Sequence, residues 1–590
     1  MSDEQRAGLA LVLMVVILML WSHFYKPVVP QKPPESNPPT ATASAPAAKI
    51  APPANETKKS NAGKKQTEKA AAKPVETPVK EASAEKTITI ESPLYRVELS
   101  NRGGVVRSWK LNKYLNNDNP PKPLDLVNAA AAQQLNGWPL SIHLEDSKLE
   151  AEANSALYAV QSAKVVAATS GTANAPAESL SNLRAPVTVE FEWSDGHLDV
   201  TKKLDFDTSY QMHLSVSATL DGQPLPVGIA WRGGFGDQSA RNAAAQTEVF
   251  YNENGGIKVL TYKKLGVKDH PEIPAQVSGY FDAAGIEDQF FEAAFLEDRP
   301  GITLWDWTQQ HSIKEEGKTT QQPVAQMAAG PQAPGPWNTR LYVGPKDLTE
   351  LGKLNPPLTG TVNYGFFSFL SKGLLWILKW SYKYVPNYGW DIVLLTIVIN
   401  MLLFPLKAKG WRSMKQMQKV MPKQKAIQEK YKKYSMRDPR RRQMQEEMGA
   451  LYKEHGVNPL GGCLPQLVQL PIWWELWRTL DLSIEMRHAP WLGWIHDLSA
   501  PDPYYILPIL MAITMYYMTK MTPQTVTDPA QQKMMTLMPL AFALFFFWYS
   551  CGLVLYIFTS NLVNMGQQWY LNRADPLPSR SPYKNKPAKA

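Results

Sequence analysis

Apolar and polar residues follow three different patterns along the chain, and the first lies at the N-terminus. Residues 7–22 carry no charge, and with the next three residues they reach the ~20 residues that a helix needs to cross a bilayer. Bulky Trp21, Phe24 and Tyr25 stand where a signal peptide would need small residues for cleavage. The pattern therefore favours an uncleaved anchor over a signal peptide.

The second pattern is alternation with a period of two, which runs through residues 87–345. In residues 95–99, apolar Tyr, Val and Leu alternate with Arg and Glu, and residues 187–193 and 212–218 repeat the pattern. A Ser-Asp-Gly turn at 194–196 directly follows residues 187–193. This alternation is typical of half-buried antiparallel strands, so we predict a β-sandwich domain with its own core.

The third pattern is helical and begins near residue 365. Lys372, Lys379 and Lys383 share one face with apolar residues opposite, which predicts an amphipathic helix at a membrane surface. The alternative is a helix packed on the β domain. Five apolar stretches follow, each a predicted membrane helix: 388–406, 464–482, 504–520, 534–549 and 553–570. The connector around Gly552 is so short that it must be a tight reversal.

Charge assigns an orientation to these six predicted spans. The net charge is +9, but residues 407–462 alone contain 15 Lys+Arg against 5 Asp+Glu. We interpret this segment as a helical hairpin whose second helix begins at Asp438 and ends at Gly456. Basic loops favour the cytoplasm, so the hairpin and the basic tail 573–590 are expected there, with both termini. Loop 484–503 is acidic and is expected outside with the β domain.

These patterns divide the chain into eight segments. The segment from 27 to 86 has eleven prolines and no aromatic residue, which indicates a flexible tether. The predicted segments are the anchor 1–26, the tether 27–86, the β domain 87–345, the linker with its interfacial helix 346–387, the second span 388–406, the basic hairpin 407–462, four further spans in 463–572 and the tail 573–590. Cys463 and Cys551 fall at opposite ends of spans, so no disulfide is expected between them.

Polar residues inside the predicted spans are the strongest functional signal. Their spacing places them in stripes on helix faces, and in one case close enough to form an ion pair. The predicted groove residues are Thr396, Asn400, Glu475, Arg478, Tyr556, Ser560, Asn564 and Gln567. Stripes on several helices favour a hydrated cavity, because an unpaired polar group in hydrocarbon is costly. The alternative is that they only hydrogen-bond one helix to another.

No pattern of an enzyme is present. The sequence contains no HExxH, GxSxG or Walker motif and no Cys/His cluster with metal-ligand spacing, so we expect no catalytic residue, metal or cofactor. Two other functions stay open: a secondary transporter, and a membrane-anchored saccharide-binding protein. The second would need acidic residues such as Asp282, Glu287 and Asp288, which we expect on a solvated helix. The glycine-rich stretch 231–239 is expected to be a turn.

Four motifs carry a resemblance to a known family. They are NPLGGCLPQLVQLPI at 458–472, WIHDLSAPDPYYILPILM at 494–511, TDPAQQKMMTLMP at 527–539 and GLVLYIFTSNLV at 552–563. They resemble the YidC membrane-protein insertases of Gram-negative bacteria, within the YidC/Oxa/Alb family. The likeness is strong over about 360–572, while the anchor, tether and β domain match in layout.

The resemblance implies a fold and a function. The fold would be five core membrane helices around a hydrophilic groove, an extra anchor helix and an all-β periplasmic supersandwich. The function would be insertion of nascent inner-membrane proteins, alone or with the Sec translocon, with the ribosome bound through the basic hairpin and tail. Membrane lipid would be a partner, and no specific nucleic acid sequence or nucleotide is implied. The implied hydrophobic slide residues are Trp473, Met511, Met515, Met534 and Met538.

One departure from the family pattern affects the groove. The family carries an arginine at the position of Asn400, and a tyrosine at the position of Ile557. We hypothesise that Glu475 and Arg478, where relatives are mostly apolar or aromatic, help to keep the groove polar instead. An uncharged Asn400 also predicts weaker attraction for acidic substrate segments.

Overall fold

The computed structural model describes most of the chain between the tether and the tail. The described residues are 78–118, 120–165, 182–240, 247–315, 318–365, 367–434, 438–458, 464–522 and 529–574. The predicted anchor, nearly all of the tether and the tail from 575 onwards lie outside these residues.

Twenty strands lie in the described part of the β domain. They are β1 Thr87–Glu91, β2 Tyr95–Ser100, β3 Val105–Leu115, β4 Pro123–Asp125, β5 Ser141–His143, β6 Ala159–Val165, β7 Asn182–Arg184, β8 Val187–Ser194, β9 Leu198–Phe206, β10 Gln211–Leu220, β11 Gln223–Pro224, β12 Gly228–Trp231, β13 Glu248–Glu253, β14 Gly256–Thr261, β15 Ala275–Phe281, β16 Ala283–Glu287, β17 Phe291–Leu296, β18 Ile302–Glu315, β19 Lys318–Pro331 and β20 Trp337–Pro345.

These strands pair in three sheets. The largest has the order β14-β13-β16-β17-β20-β10-β9-β8-β6, with β11 beside β10, and two five-stranded sheets have the orders β4-β3-β2-β1-β7 and β15-β18-β19-β12-β5. Tyr95, Val97 and Leu99 are buried, as their alternation predicts, and β8 and β10 alternate in the same way. The prediction of antiparallel strands is confirmed except for β1 and β7, which run parallel.

The structure differs from expectation at two places in the β domain. The first part of the predicted linker 346–387 packs with the domain, because Leu351, Leu354 and Leu358 are buried in its core. Asp282, Glu287 and Asp288 do not lie on a solvated helix. Glu287 ends strand β16, and both it and Asp288 are buried.

Ten α-helices are described. They are α1 Ala129–Gln134, α2 Ser147–Ser155, α3 Leu348–Leu351, α4 Ser368–Tyr382, α5 Tyr388–Tyr431, α6 Arg440–Glu454, α7 Leu464–Leu482, α8 Ile506–Met521, α9 Pro529–Ala543 and α10 Cys551–Ala574. Short 3-10 helices lie at Tyr262–Lys264, Ile484–Met486 and Leu544–Trp548. The five predicted spans therefore correspond to helices at nearly the predicted positions.

The second span and the first half of the basic hairpin form one continuous helix, α5, which is a correction to the predicted break between them. This helix has 44 residues and contains Pro405 and Pro422. A proline removes one helical hydrogen bond, but the surrounding Leu, Lys, Met and Gln residues favour the helix strongly enough to continue it. The second hairpin helix, α6, starts after Asp438 as predicted, and Gly456 follows it with φ +60°.

The predicted interfacial helix α4 has two apolar faces rather than one. Leu374 and Leu378 are buried against the helical bundle, whereas the large side chains of Phe369, Trp376 and Trp380 are exposed. The buried face attaches α4 to the bundle, and the exposed aromatic face suits the boundary between lipid and water.

The helical bundle centres on α10, which packs against α5 and α8. Within the described residues, α5 alone is both long and apolar enough to cross a bilayer by composition, and α8 and the segment Lys533–Trp548 are shorter apolar helices. Exposed Trp569 lies in the last turns of α10, and exposed Trp548 ends the 3-10 helix that precedes α10.

A cluster of buried charges lies in the largest sheet. Glu287 and Glu292 are direct cross-strand partners on β16 and β17, and Lys346 forms an ion pair with Glu287 at 2.8 Å. Burial, together with the neighbouring Glu287 carboxylate, raises the pKa of Glu292 from its ordinary value of 4.5 to about 8. Glu292 is therefore protonated in the folded chain at neutral pH.

This cluster predicts a pH dependence of stability. Between pH 4.5 and pH 8 the folded chain holds a proton on Glu292 that the unfolded chain releases, so the free energy of unfolding should fall as pH rises. Glu292→Gln removes this dependence. Its free energy of unfolding should therefore rise relative to that of the parent by about 1 kcal/mol or more between pH 5 and pH 8. Amide hydrogen exchange in β17, compared between the full-length proteins at each pH, measures the difference. Exposed Glu145→Gln is the control, and equal exchange in Glu292→Gln and the parent at every pH would contradict the prediction.

Candidate functional site

A cavity of about 530 Å³ lies within the helical bundle. Its walls come from α5, α7, α8 and α10, and from Phe542 and Phe546 at the end of α9 and in the 3-10 helix after it. The side chains that α10 contributes are mostly polar, whereas those from α7, α8 and the end of α9 are mostly apolar. The cavity is therefore the first candidate for the predicted groove.

The polar wall is built mainly by α10. The side chains of Tyr556, Ser560, Asn564 and Gln567 all line the cavity, because steps of three or four residues place them one above another along the helix. Asn561 lies beside them and donates from Nδ2 to Thr514 Oγ1 of α8 at 3.3 Å. The amides of α10 therefore serve both as cavity wall and as links between helices.

Asn400 is buried between α5 and α10. Its Nδ2 donates to the Thr396 backbone carbonyl at 2.8 Å and lies 3.4 Å from Ser560 Oγ. The backbone carbonyl of Asn400 accepts from Gln567 Nε2 at 3.0 Å. Thr396 is also buried and donates from its hydroxyl to the Ile392 carbonyl of the same helix at 2.6 Å. Asn400 therefore faces the polar stripe of α10, with Thr396 behind it. Both side chains are buried and neither lines the cavity, which corrects their predicted place in the groove wall.

Lys407 is the site residue that the sequence analysis missed. Its Nζ donates to Asn400 Oδ1 at 2.6 Å and to Asn564 Oδ1 at 2.7 Å, and it lines the cavity. Among the described residues no carboxylate lies within ion-pair distance of it. The ammonium is therefore held by two neutral amide oxygens and its charge is not cancelled locally.

The signal that could have revealed Lys407 is its spacing. Lys407 follows Asn400 by seven residues, which is two helical turns, so the two share a face wherever the helix is continuous. The assignment of 407–462 to a separate hairpin hid this relation, because a lysine at the start of a charged segment is expected to be solvated.

The apolar wall is formed by aromatic and methionine side chains. Trp473, Met515 and Met518 line the cavity, and flexible methionines suit contact with varied apolar segments. Met534 and Met538 lie on α9 with exposed side chains, outside the cavity wall. Met511 requires a correction, because it is fully buried in the bundle core and offers no surface to a sliding segment.

The structure contradicts the placement of Glu475 and Arg478 in the groove. Glu475 is fully buried and accepts a hydrogen bond from the Ser371 hydroxyl of α4. Arg478 Nη2 donates to the Asn363 carbonyl at 2.6 Å, next to the β domain. Each therefore contacts a segment outside the cavity, and the two do not compensate for an uncharged Asn400.

The geometry defines what the cavity can do. The cavity combines a polar wall, which holds one uncompensated ammonium, with apolar side chains from α7 and α8, so it suits a peptide segment with both polar and apolar parts. Within the described ranges no group of three or more His, Cys, Asp or Glu side chains is arranged to hold a metal ion.

Two family models match adjacent parts of the chain. The model described as 60Kd inner membrane protein matches residues 380–577, and the model described as YidC periplasmic domain matches residues 87–377. The boundary between the matches falls within the segment that joins the β domain to the bundle.

Full-length relatives extend this match. A protein of Syntrophus aciditrophicus (strain SB), called Membrane protein insertase YidC, is 33% identical and covers 97% of this chain and 99% of its own. Its namesake in Wolinella succinogenes is 47% identical over 39% of this chain and 42% of its own. The crystal structure of an active YidC insertase covers 84% of this chain and 95% of its own at 18% identity, but its TM-score of 0.33 adds nothing to the assignment.

The β domain, the helical bundle and the two family matches define an inner-membrane protein with a periplasmic domain. The relative from Syntrophus, which aligns with almost the whole chain, makes the assignment specific. The chain belongs to the YidC family of membrane protein insertases.

The polar wall predicts accessibility to water within the membrane. In a chain with Cys463→Ser and Cys551→Ala, a Ser560→Cys thiol should react with a membrane-impermeant maleimide at least about tenfold faster than a Leu562→Cys thiol, because the reaction requires a hydrated thiolate. Leu562 is the matched control, since it lies half a turn away on the same helix and its side chain is exposed outside the cavity. Equal rates at the two positions in native membranes would contradict a hydrated cavity.

Proposed function

We propose that this protein moves nascent hydrophobic segments from the cytoplasm into the inner membrane through the cavity, acting as a hydrated groove. The observation that carries the proposal is the position of Lys407, whose ammonium is held inside the bundle by Asn400 and Asn564. The Lys407 side chain keeps its charge far more readily if water fills the cavity than if hydrocarbon surrounds it.

The groove would lower the barrier for the polar flank of a substrate. The main cost of insertion is to remove a polar or charged flank from water, and a hydrated cavity thins the dry layer that the flank must cross. The apolar wall, with Trp473 and Met515, would guide the hydrophobic part of the substrate toward lipid. Insertion by this route makes and breaks no covalent bond.

Lys407 changes the expected substrate preference. The uncharged Asn400 alone predicts weak attraction for acidic flanks, but the ammonium beside it supplies the missing positive charge. We therefore infer that acidic flanks are attracted into this groove. Because Lys407 lies on α5 two turns from Asn400, the charge reaches the cavity from the predicted cytoplasmic end of the span.

The proposal extends to orientation and partners. Six spans with cytoplasmic termini would place the basic hairpin and tail in the cytoplasm, where they could contact a ribosome, and leave the β domain in the periplasm. Action together with the Sec translocon is part of the proposal. Family membership favours insertion over the transporter and saccharide-binding alternatives.

Replacement of Lys407 tests the role of its charge. Lys407→Gln should slow insertion of a single-span substrate with an acidic translocated flank by about tenfold, because a hydrogen bond to a charged group contributes about 1.5–3 kcal/mol. The same substrate with a neutral flank should be affected much less. Protease protection of the flank, after depletion of the host insertase and expression of each variant, measures insertion.

Two further variants make this test specific. Exposed Lys409→Gln removes an equal charge two residues away and should leave insertion unchanged. Asn400→Arg in the Lys407→Gln background returns a positive charge to the same face and should restore insertion of the acidic-flank substrate. Equal insertion by Lys407→Gln and Lys409→Gln would refute a role for the ammonium.

A further inference from the structure

The outer end of α7 forms a packed seam with the β domain. Leu482 and Ile484, which end α7 and begin the 3-10 helix after it, pack against the hydrophobic core of the β domain. Gln289 of the β domain donates from Nε2 to the Asp481 carbonyl at 2.8 Å. The end of a predicted membrane span therefore takes part directly in the core of the β domain.

A buried ion pair lies in this seam. Arg487 Nη2 contacts Asp237 Oδ2 at 2.5 Å, and each side chain is only 4% exposed. The guanidinium also lies over the Phe291 ring, 5.5 Å from its centroid. Removal of one partner of such a pair leaves a buried charge without compensation, which is strongly destabilising for the contact.

The glycine-rich turn predicted at 231–239 presents Asp237 to the seam. Gly236 has φ +96°, and a Cβ there would lie 2.2 Å from Asp288 Oδ2, so only glycine fits. The same Asp288 oxygen accepts a hydrogen bond from the Asp237 amide at 2.9 Å. The turn is therefore fixed by a buried carboxylate, and Asp237 is held rigidly where Arg487 meets it.

The two halves of α7 differ in how they are held. The outer half is buried, with Leu476, Thr479 and Leu480 at most 1% exposed, whereas Leu467 and Leu470 of the inner half are exposed. Pro471 lies between the halves and removes a helical hydrogen bond. The inner half carries Gln469 and Leu470 to the cavity wall, and Trp473 joins them just beyond Pro471, so this wall depends on how the outer half is anchored.

We propose that the Arg487–Asp237 pair makes the β domain a positioning element for the cavity wall formed by α7. Arg487 and Asp237 are positioning residues, because they lie far from the cavity and act through the anchored outer half of α7. The inference relies on the proposed function only in taking this wall as part of the groove. The position of the wall itself can be measured without any insertion assay.

The test compares cysteines on two different helices of the cavity wall. In the chain without native thiols, Gln469→Cys reports on α7, and Ser560→Cys reports on α10, which does not carry the seam. Asp237→Asn and Arg487→Met should each raise the maleimide reaction rate at position 469 by at least about threefold and leave position 560 within about twofold of the parent. Hydrogen exchange at residues 484–486 should rise in the same two variants.

The controls separate the seam from general loosening. Asp298→Asn breaks an exposed ion pair of the β domain with Arg340 and should change neither rate. The Asp237→Asn/Arg487→Met double variant leaves no unpaired buried charge, so it should bring the rate at 469 back to within about twofold of the parent. If a single variant fails to accumulate, the double variant can still be compared with the parent.

Three results would overturn the inference. The first is faster hydrogen exchange at residues 484–486 with no change in the maleimide reaction rate at position 469. The second is an equal increase in this rate at positions 469 and 560. The third is a double variant whose effect on the rate at 469 equals the sum of the two single effects. None of these bears on whether the cavity is hydrated. Slow labelling of Ser560→Cys in the parent would instead count against the proposed function.

Discussion

The central constraint on this structure is the cost of a positive charge inside a bundle of apolar helices. Two amide oxygens offset part of that cost by accepting hydrogen bonds from Lys407. One belongs to Asn400 on the same helix and the other to Asn564 on α10. Neither amide carries charge, so the ammonium is stabilised and yet still able to attract an anion. This arrangement joins α5 to the polar stripe of α10 beside the cavity.

A second constraint is mechanical and lies at the other end of the bundle. The β domain is attached to the bundle by packing as well as by the chain connection, because the segment after β20 and the outer end of α7 both pack into its core. Lys379 of α4 strengthens the same region by forming ion pairs with Asp347 at 3.1 Å and with Glu485 at 2.6 Å. The outer end is thus closed by packing and charge pairs, whereas the inner half of α7 is left with exposed apolar residues. Such an asymmetry suits a cavity that admits a segment from the end of the bundle opposite the β domain.

The sequence was sufficient to predict features that depend on local periodicity. The alternation at 95–99 predicts β2, and the spacing of Tyr556, Ser560, Asn564 and Gln567 predicts a stripe on α10, because both follow from the geometry of a single element. Features that depend on distant partners could not be predicted. Arg478 binds a carbonyl 115 residues away, and Met511 is buried by neighbouring helices. Lys407 was missed for a different reason, since the charge of residues 407–462 assigned it to a separate hairpin, whereas α5 continues through it.

The most direct test of this account is a high-resolution structure of the protein in a lipid nanodisc, in which ordered water around Lys407 can be seen. We expect water within hydrogen-bond distance of the Lys407 ammonium, continuous with water along Ser560 and Gln567. A cavity closed by side chains or filled by a lipid acyl chain, with Lys407 in contact with the two amides alone, would contradict it.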